Sequence, residues 1–100
     1  MALQINHGPR MLKVAGQLTA QNTKSLKRHL KSFLTGVDHL LLNIEKVTYM
    51  DEGSAFSLEQ MYLDAVRNNK VLVIIGMENN RIASVMKDTK TSYILSHDRV

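Results

Sequence analysis

Cysteine is absent from this 100-residue chain. That excludes a disulfide framework, a thiolate metal site and a cysteine nucleophile, and it fits a reducing compartment. Aromatic residues make up 5% of the sequence, so aliphatic and Met side chains must fill the core. Proline occurs once, at Pro9. No apolar run approaches the roughly 18–20 residues needed to cross a bilayer. The stretch from Met1 to His7 has neither a basic segment nor a long apolar one, so it does not read as a signal peptide. These absences predict a soluble, cytoplasmic protein.

What is present suffices for a single domain over residues 1–100, because 44% of the residues are apolar. The net charge is +4 and the pI about 9.6. The charge is uneven: residues 1–50 hold seven Lys/Arg against two Asp/Glu, and residues 51–100 hold six against seven. Such asymmetry marks either an electropositive face for an acidic partner or a solvated helix surface.

Hydrophobic periodicity organises the chain. Leu3 to Asn6 and Met11 to Gly16 alternate in polarity around His7-Gly8-Pro9-Arg10, which predicts a β-hairpin. A helix is predicted over about residues 20–35, with Thr19 as N-cap and Gly36 just past its end. Leu26, Leu30, Phe33 and Leu34 fall on one face of it, and Lys24, Lys27, Arg28 and Lys31 cluster on another. The run Leu40-Leu41-Leu42 with Ile44 predicts a strand over residues 38–45 covered on both sides. A second helix is expected from about Ser54 to Asn69, its core face made by Leu58, Met61, Tyr62, Ala65 and Val66. Lys70 to Gly76 is the strongest strand signal and predicts a central buried strand. A short helix over about 78–88 and a last strand from Ser92 to Ser96 complete the order β-β-α-β-α-β-α-β. That order predicts an α/β fold, an α+β sandwich with one mixed, largely parallel sheet of about four or five strands against helices.

Between the 38–45 strand and the second helix lies Asp51-Glu52-Gly53-Ser54. An acidic turn that opens a helix presents backbone N–H groups to anions, phosphates or partner side chains. With the elements in this order, three pieces make the chain resemble a STAS domain, the fold of bacterial anti-sigma factor antagonists and sulfate-transporter tails. They are Gly16-Gln17-Leu18-Thr19, Val47-Thr48-Tyr49-Met50-Asp51-Glu52-Gly53-Ser54 and Val71-Leu72-Val73-Ile74-Ile75-Gly76. The resemblance covers most of the chain. It implies a non-catalytic regulatory module without cofactor or metal, acting by protein–protein contact in transcription control. In the family, the first Ser of an Asp-Ser-Ser-Gly motif is phosphorylated by a kinase that doubles as the anti-sigma factor, and phosphorylation releases that partner.

Asp51 matches the family's aspartate, Glu52 falls on the phosphoserine position, and Gly53 and Ser54 fall on the second Ser and the Gly. The modifiable serine is therefore replaced. Two readings follow. Glu52 supplies a permanent anion where phosphoserine would supply about −1.5 to −2 charge, or it is an acidic first-turn residue on a solvated loop. Ser54 is read as cap of the second helix and, with Thr48, as a candidate phosphorylation site. Phe56 is read either as a partner anchor beside Leu63 or as a side chain covered by a neighbouring element. The partner-binding set is thus Asp51, Glu52, Gly53, Ser54 and Phe56. The partners implied are an anti-sigma factor, that is a serine-kinase-like ATPase domain, or the ATPase subunit of a lipid or solute transporter. A homodimer is a further alternative. Longer family members add a final helix, for which His97 to Val100 is too short.

Other chemistry has little support in the sequence. His7, His29, His39 and His97 lack metal-ligand spacing, and no nucleophile or phosphate-binding motif is present. The basic set Lys24, Lys27, Arg28 and Lys31 lacks interleaved aromatics, leaving only weak, nonspecific nucleic-acid binding as an alternative.

Overall fold

The computed structural model of the protein describes residues 3–96. The expected hairpin forms from β1 (Gln4–Gly8) and β2 (Met11–Leu18), antiparallel, with Ile5 opposite Val14. Pro9 and Arg10 join them, Arg10 adopting a left-handed φ of 58°. The chain continues through α1 (Thr23–Gly36), β3 (His39–Met50), α2 (Glu52–Arg67), β4 (Val71–Ile75), α3 (Asn80–Asp88) and a 3-10 turn at Ser92–Ile94. The four strands lie in the order β1-β2-β3-β4. The β2–β3 and β3–β4 pairs are parallel, so the sheet is mixed, as the alternation of elements predicts.

One alternation set of the strands is buried: Leu12, Val14 and Leu18, then Leu40, Leu42 and Ile44, then Leu72 and Ile74. These residues share a single cluster with Leu26 and Leu30 of α1, Leu58, Met61 and Ala65 of α2, and Ile82 and Met86 of α3. The three helices therefore cover one face of the sheet, and the burial of these aliphatic side chains drives the packing. Met11, Ala15, Leu41 and Val73, on the other face, are half-buried. The 38–45 run is thus covered on one side rather than two.

The strand predicted to end at residue 45 runs on to Met50. Two register shifts explain why the pattern hides this. Between the pairs Lys13↔Asn43 and Ala15↔Lys46, β3 spends one residue more than β2, and it does so again between Gly16↔Val47 and Gln17↔Tyr49. Each extra residue is a bulge that moves the buried position along by one. Ile44, Val47 and Met50 are consequently all buried, at a spacing that is neither strand nor helix.

Other expectations are corrected. Helix α1 begins at Thr23, after Asn22 rather than Thr19, and Gly36 is its last residue, with Val37 as C-cap. Helix α2 begins at Glu52, two residues before Ser54. Val66 is 54% exposed and lies off the core face. Strand β4 is at the sheet edge, not its centre. Its apolarity reflects the helices packed on it and a short strap on its outer side. That strap replaces the predicted last strand: the 3-10 turn is followed by a single parallel bridge, Ile74↔Leu95, and Ser96 N–H donates to Ile74 O at 2.7 Å. A strap of this kind protects an edge from pairing with other chains. The question of a final helix after His97 falls outside the described residues.

Candidate functional site

The end of β2 prepares the site. Gly16 has φ 94°, a left-handed value that a side chain would strain, and it sits at the second register shift. The chain then enters a tight turn. Thr19 N–H donates to Asn22 Oδ1 at 2.8 Å, and Asn22 N–H donates back to Thr19 Oγ1 at 3.2 Å. Asn22 Nδ2 reaches Gln17 O at 2.9 Å, and Thr23 Oγ1 donates to Ala20 O at 3.0 Å. These bonds fix the backbone of Ala20.

Asp51 follows the last residue of β3 and caps α2. Its Oδ1 accepts the Ser54 N–H at 2.7 Å, and its Oδ2 accepts the Ala20 N–H at 3.0 Å. One carboxylate thus closes a helix N-terminus and clamps it to the β2–α1 turn. Burial works to raise the Asp51 pKa. The hydrogen bonds from Ala20 and Ser54 outweigh it together, and the carboxyl is held below its usual range.

Ser54 closes the other half of the clamp. Its residue is fully buried. Its hydroxyl lies 2.9 Å from Leu18 O and 2.8 Å from Asp51 O, so its single proton is shared between two carbonyls. Ser54 therefore acts inside the first turn of α2, and the capping role expected of it belongs to Asp51. Gly53 lies against the same turn: a Cβ there would come within 2.8 Å of Ala20 Cβ. The close approach of the two turns requires a residue without a side chain.

The remaining site residues face outward. Glu52 is exposed in the first turn of α2. Phe56, one turn on, is 49% exposed, so neither the sheet nor a neighbouring helix covers it. Leu63 is half-buried, and Thr48 is exposed in the second bulge of β3. Of the two candidate hydroxyls, only Thr48 faces solvent.

Three residues outside the expected set support the site. Ala20 and Asn22 form the turn that Asp51 grips. Asn79 lies behind it, 8% exposed. Its Nδ2 donates to Ile44 O at 2.9 Å and Val47 O at 2.8 Å, the carbonyls on either side of the first bulge. Its Oδ1 accepts the Arg81 N–H at 3.0 Å and caps α3. An Asn three residues before Ile82 signals a cap, whereas its hold on the bulge has no mark in the sequence.

The histidines lie elsewhere. The His7 ring packs with His29 and Phe33 at centroid distances of 5.3 and 6.2 Å, and His29 Nδ1 is 2.9 Å from Ser25 O. His39 is exposed, and His97 lies outside the described residues. Among the described residues, no three His, Asp or Glu side chains come together as a metal-binding group, and no helix is long and apolar enough to cross a membrane. Lys24, Lys27, Arg28 and Lys31 are all exposed along α1.

The family model of the STAS domain matches residues 1–94. Among solved structures, the anti-sigma factor antagonist SpoIIAA in its unphosphorylated form matches with a TM-score of 0.62 and 14% identity, over 89% of this chain and 82% of its own. The crystal structure of Mglu matches with a TM-score of 0.59 and 11% identity, over 71% of this chain and 18% of the Mglu chain. This chain thus spans under a fifth of the length of Mglu. At these identities the likeness is one of fold.

Proposed function

The chain belongs to the STAS domain family, and from that premise we propose that it is a non-catalytic protein-binding module that docks through the exposed start of α2, with Phe56 as its anchor and Glu52 as a fixed charge that weakens the contact. One observation carries this reading. The clamp consumes the polar groups of Asp51 and Ser54 internally and leaves one anion and one half-exposed aromatic ring at the start of α2. Aromatic side chains are enriched at interfaces, and an exposed ring is the kind of anchor that carries much of the binding energy. The proposed partner is the kinase-like ATPase domain of an anti-sigma factor.

In this reading Glu52 holds a fixed negative charge where relatives with a serine gain one by modification. A helix N-terminus favours either anion, by about 0.3–1 kcal/mol. The site is then a docking surface without its switch. The buried state of Ser54 supports this, because its hydroxyl is engaged inside the clamp. The same features suit a second reading, a non-switching subunit that docks on the ATPase of a transporter.

Calorimetric titration against the kinase-like ATPase domain encoded nearest to this gene tests the proposal. Wild type is expected to bind saturably, and Phe56→Ala to bind about tenfold more weakly, a loss of about 1.4 kcal/mol. The thermal midpoint should barely move, since Phe56 is half exposed. Absence of binding by both wild type and Glu52→Ser would rule the anti-sigma partner out.

A further inference from the structure

A second site lies away from the signature turn. The C-terminal halves of α1 and α2 enclose a groove of about 340 Å³, near the lower end of the roughly 300–1,000 Å³ of small-ligand sites. Leu30, Leu34, Met61 and Ala65 make it apolar, and Lys27, Lys31, Lys70 and Asp64 are its charged lining. Met61 lies about 14 Å along α2 from Glu52, so a ligand here leaves the signature turn open.

The charges around the groove are unbalanced. Asp64 is engaged by Arg67. Lys70 Nζ is engaged by Asp38 at 2.9 Å and by Val37 O at 3.3 Å. Lys27 and Lys31 have no acidic partner among the described residues. They stand one turn apart on α1, a like-charge spacing that disfavours the helix unless an anion sits between or beside them. The partial negative charge at the ends of α1 and α2 repels an anion deep in the groove, so its head group belongs at Lys27 and Lys31 and its tail on the apolar lining.

We propose that this groove binds an aliphatic carboxylate of short to medium chain length, with the carboxylate held by Lys27 and Lys31 and the chain lying against Leu30, Leu34, Met61 and Ala65. The proposal is independent of the docking reading for Glu52 and Phe56. An apolar cleft with one convergent charged patch is the usual build of such a site. The lysine stems extend the apolar wall while their ammonium groups stay at the mouth.

Titration of the ¹⁵N-labelled protein with octanoate, octanol and butyrate tests this. Octanoate is expected to give saturable shifts at the amides of Lys31, Leu34 and Ala65, with a Kd on the order of 1 mM for a ligand of this size. Octanol lacks the charge and butyrate lacks the chain, so each should shift the same amides at least fivefold less at equal concentration. The double variant Lys27→Glu/Lys31→Glu should bind octanoate at least tenfold more weakly with an unchanged fold, both positions being exposed. Equal binding of octanol, octanoate shifts that map to another surface or do not saturate, or preferential binding of an acidic peptide at this groove would each overturn the proposal.

Discussion

Asn79→Ala is expected to cost about 3 kcal/mol, the sum of a lost helix cap and of two carbonyls left without their donor. In a domain of this size that lowers the thermal midpoint by about 15 °C. The reason is the position of the side chain. Its amide nitrogen donates to both Ile44 O and Val47 O across the first bulge of β3, while its oxygen caps α3. Asn79→Asp separates the two roles. The carboxylate still caps α3 and complements its N-terminus, but it turns an acceptor toward two carbonyl oxygens. Aspartate is therefore expected to be at least as damaging as alanine in urea unfolding. If it matched wild type, Asn79 would be a cap and nothing more.

The second large effect falls on Asp51. Asp51→Ala removes a cap and the bond that ties α2 to the β2–α1 turn, two hydrogen bonds to a charged acceptor, and should cost about 2 kcal/mol at neutral pH. Asp51→Asn keeps one acceptor oxygen but places an amide against either the Ala20 or the Ser54 N–H, so about half that loss is expected. The pH dependence has a fixed sign. The native carboxyl titrates below its usual range, so its stabilisation is fully present above the unfolded value of about 3.9. It is lost as the pH falls through the lowered native value. The stability gap between wild type and Asp51→Ala should be constant from neutral pH to about pH 5 and narrow below about pH 4. Denaturation midpoints measured across that range give the result directly. A gap that stayed constant into strong acid would mean that the carboxylate charge plays no part in the clamp.

Much of the fold is legible because simple periodicities govern it. Leu12 and Val14 alternate, Leu26 and Leu30 repeat at helical spacing, and both patterns survive as buried faces. The pattern fails where the backbone departs from regular geometry. After Ile44 the two bulges of β3 shift burial to Val47 and Met50, and the exposed residues 46, 48 and 49 break the strand alternation. For β4, continuous apolarity suggests a central strand. Its helix-facing residues Leu72 and Ile74 are buried as expected, but Val71 is 43% exposed at the edge. At the site, the chemistry of Asp51 and the presence of Glu52 are readable, and the division of labour is not. Ser54 looks like a cap because serine before an apolar periodic run usually is one. The cap is Asp51, because helix geometry is already established at Glu52. Ala20 meets Asp51, and Asn79 holds the β3 bulge, through long-range contacts to which local sequence carries no pointer.

Together the clamp residues divide the signature turn into an inner, structural half and an outer half that presents Glu52 and Phe56. The account stands or falls on whether the outer half is a docking surface that carries a fixed charge. The most direct measurement is the affinity of Glu52→Ser for the kinase-like ATPase domain, set against wild type, before and after incubation with ATP and the kinase. The account predicts that the serine variant binds at least tenfold more tightly and loses that gain on phosphorylation, which restores an anion at the helix N-terminus. An affinity unchanged by the substitution would contradict it.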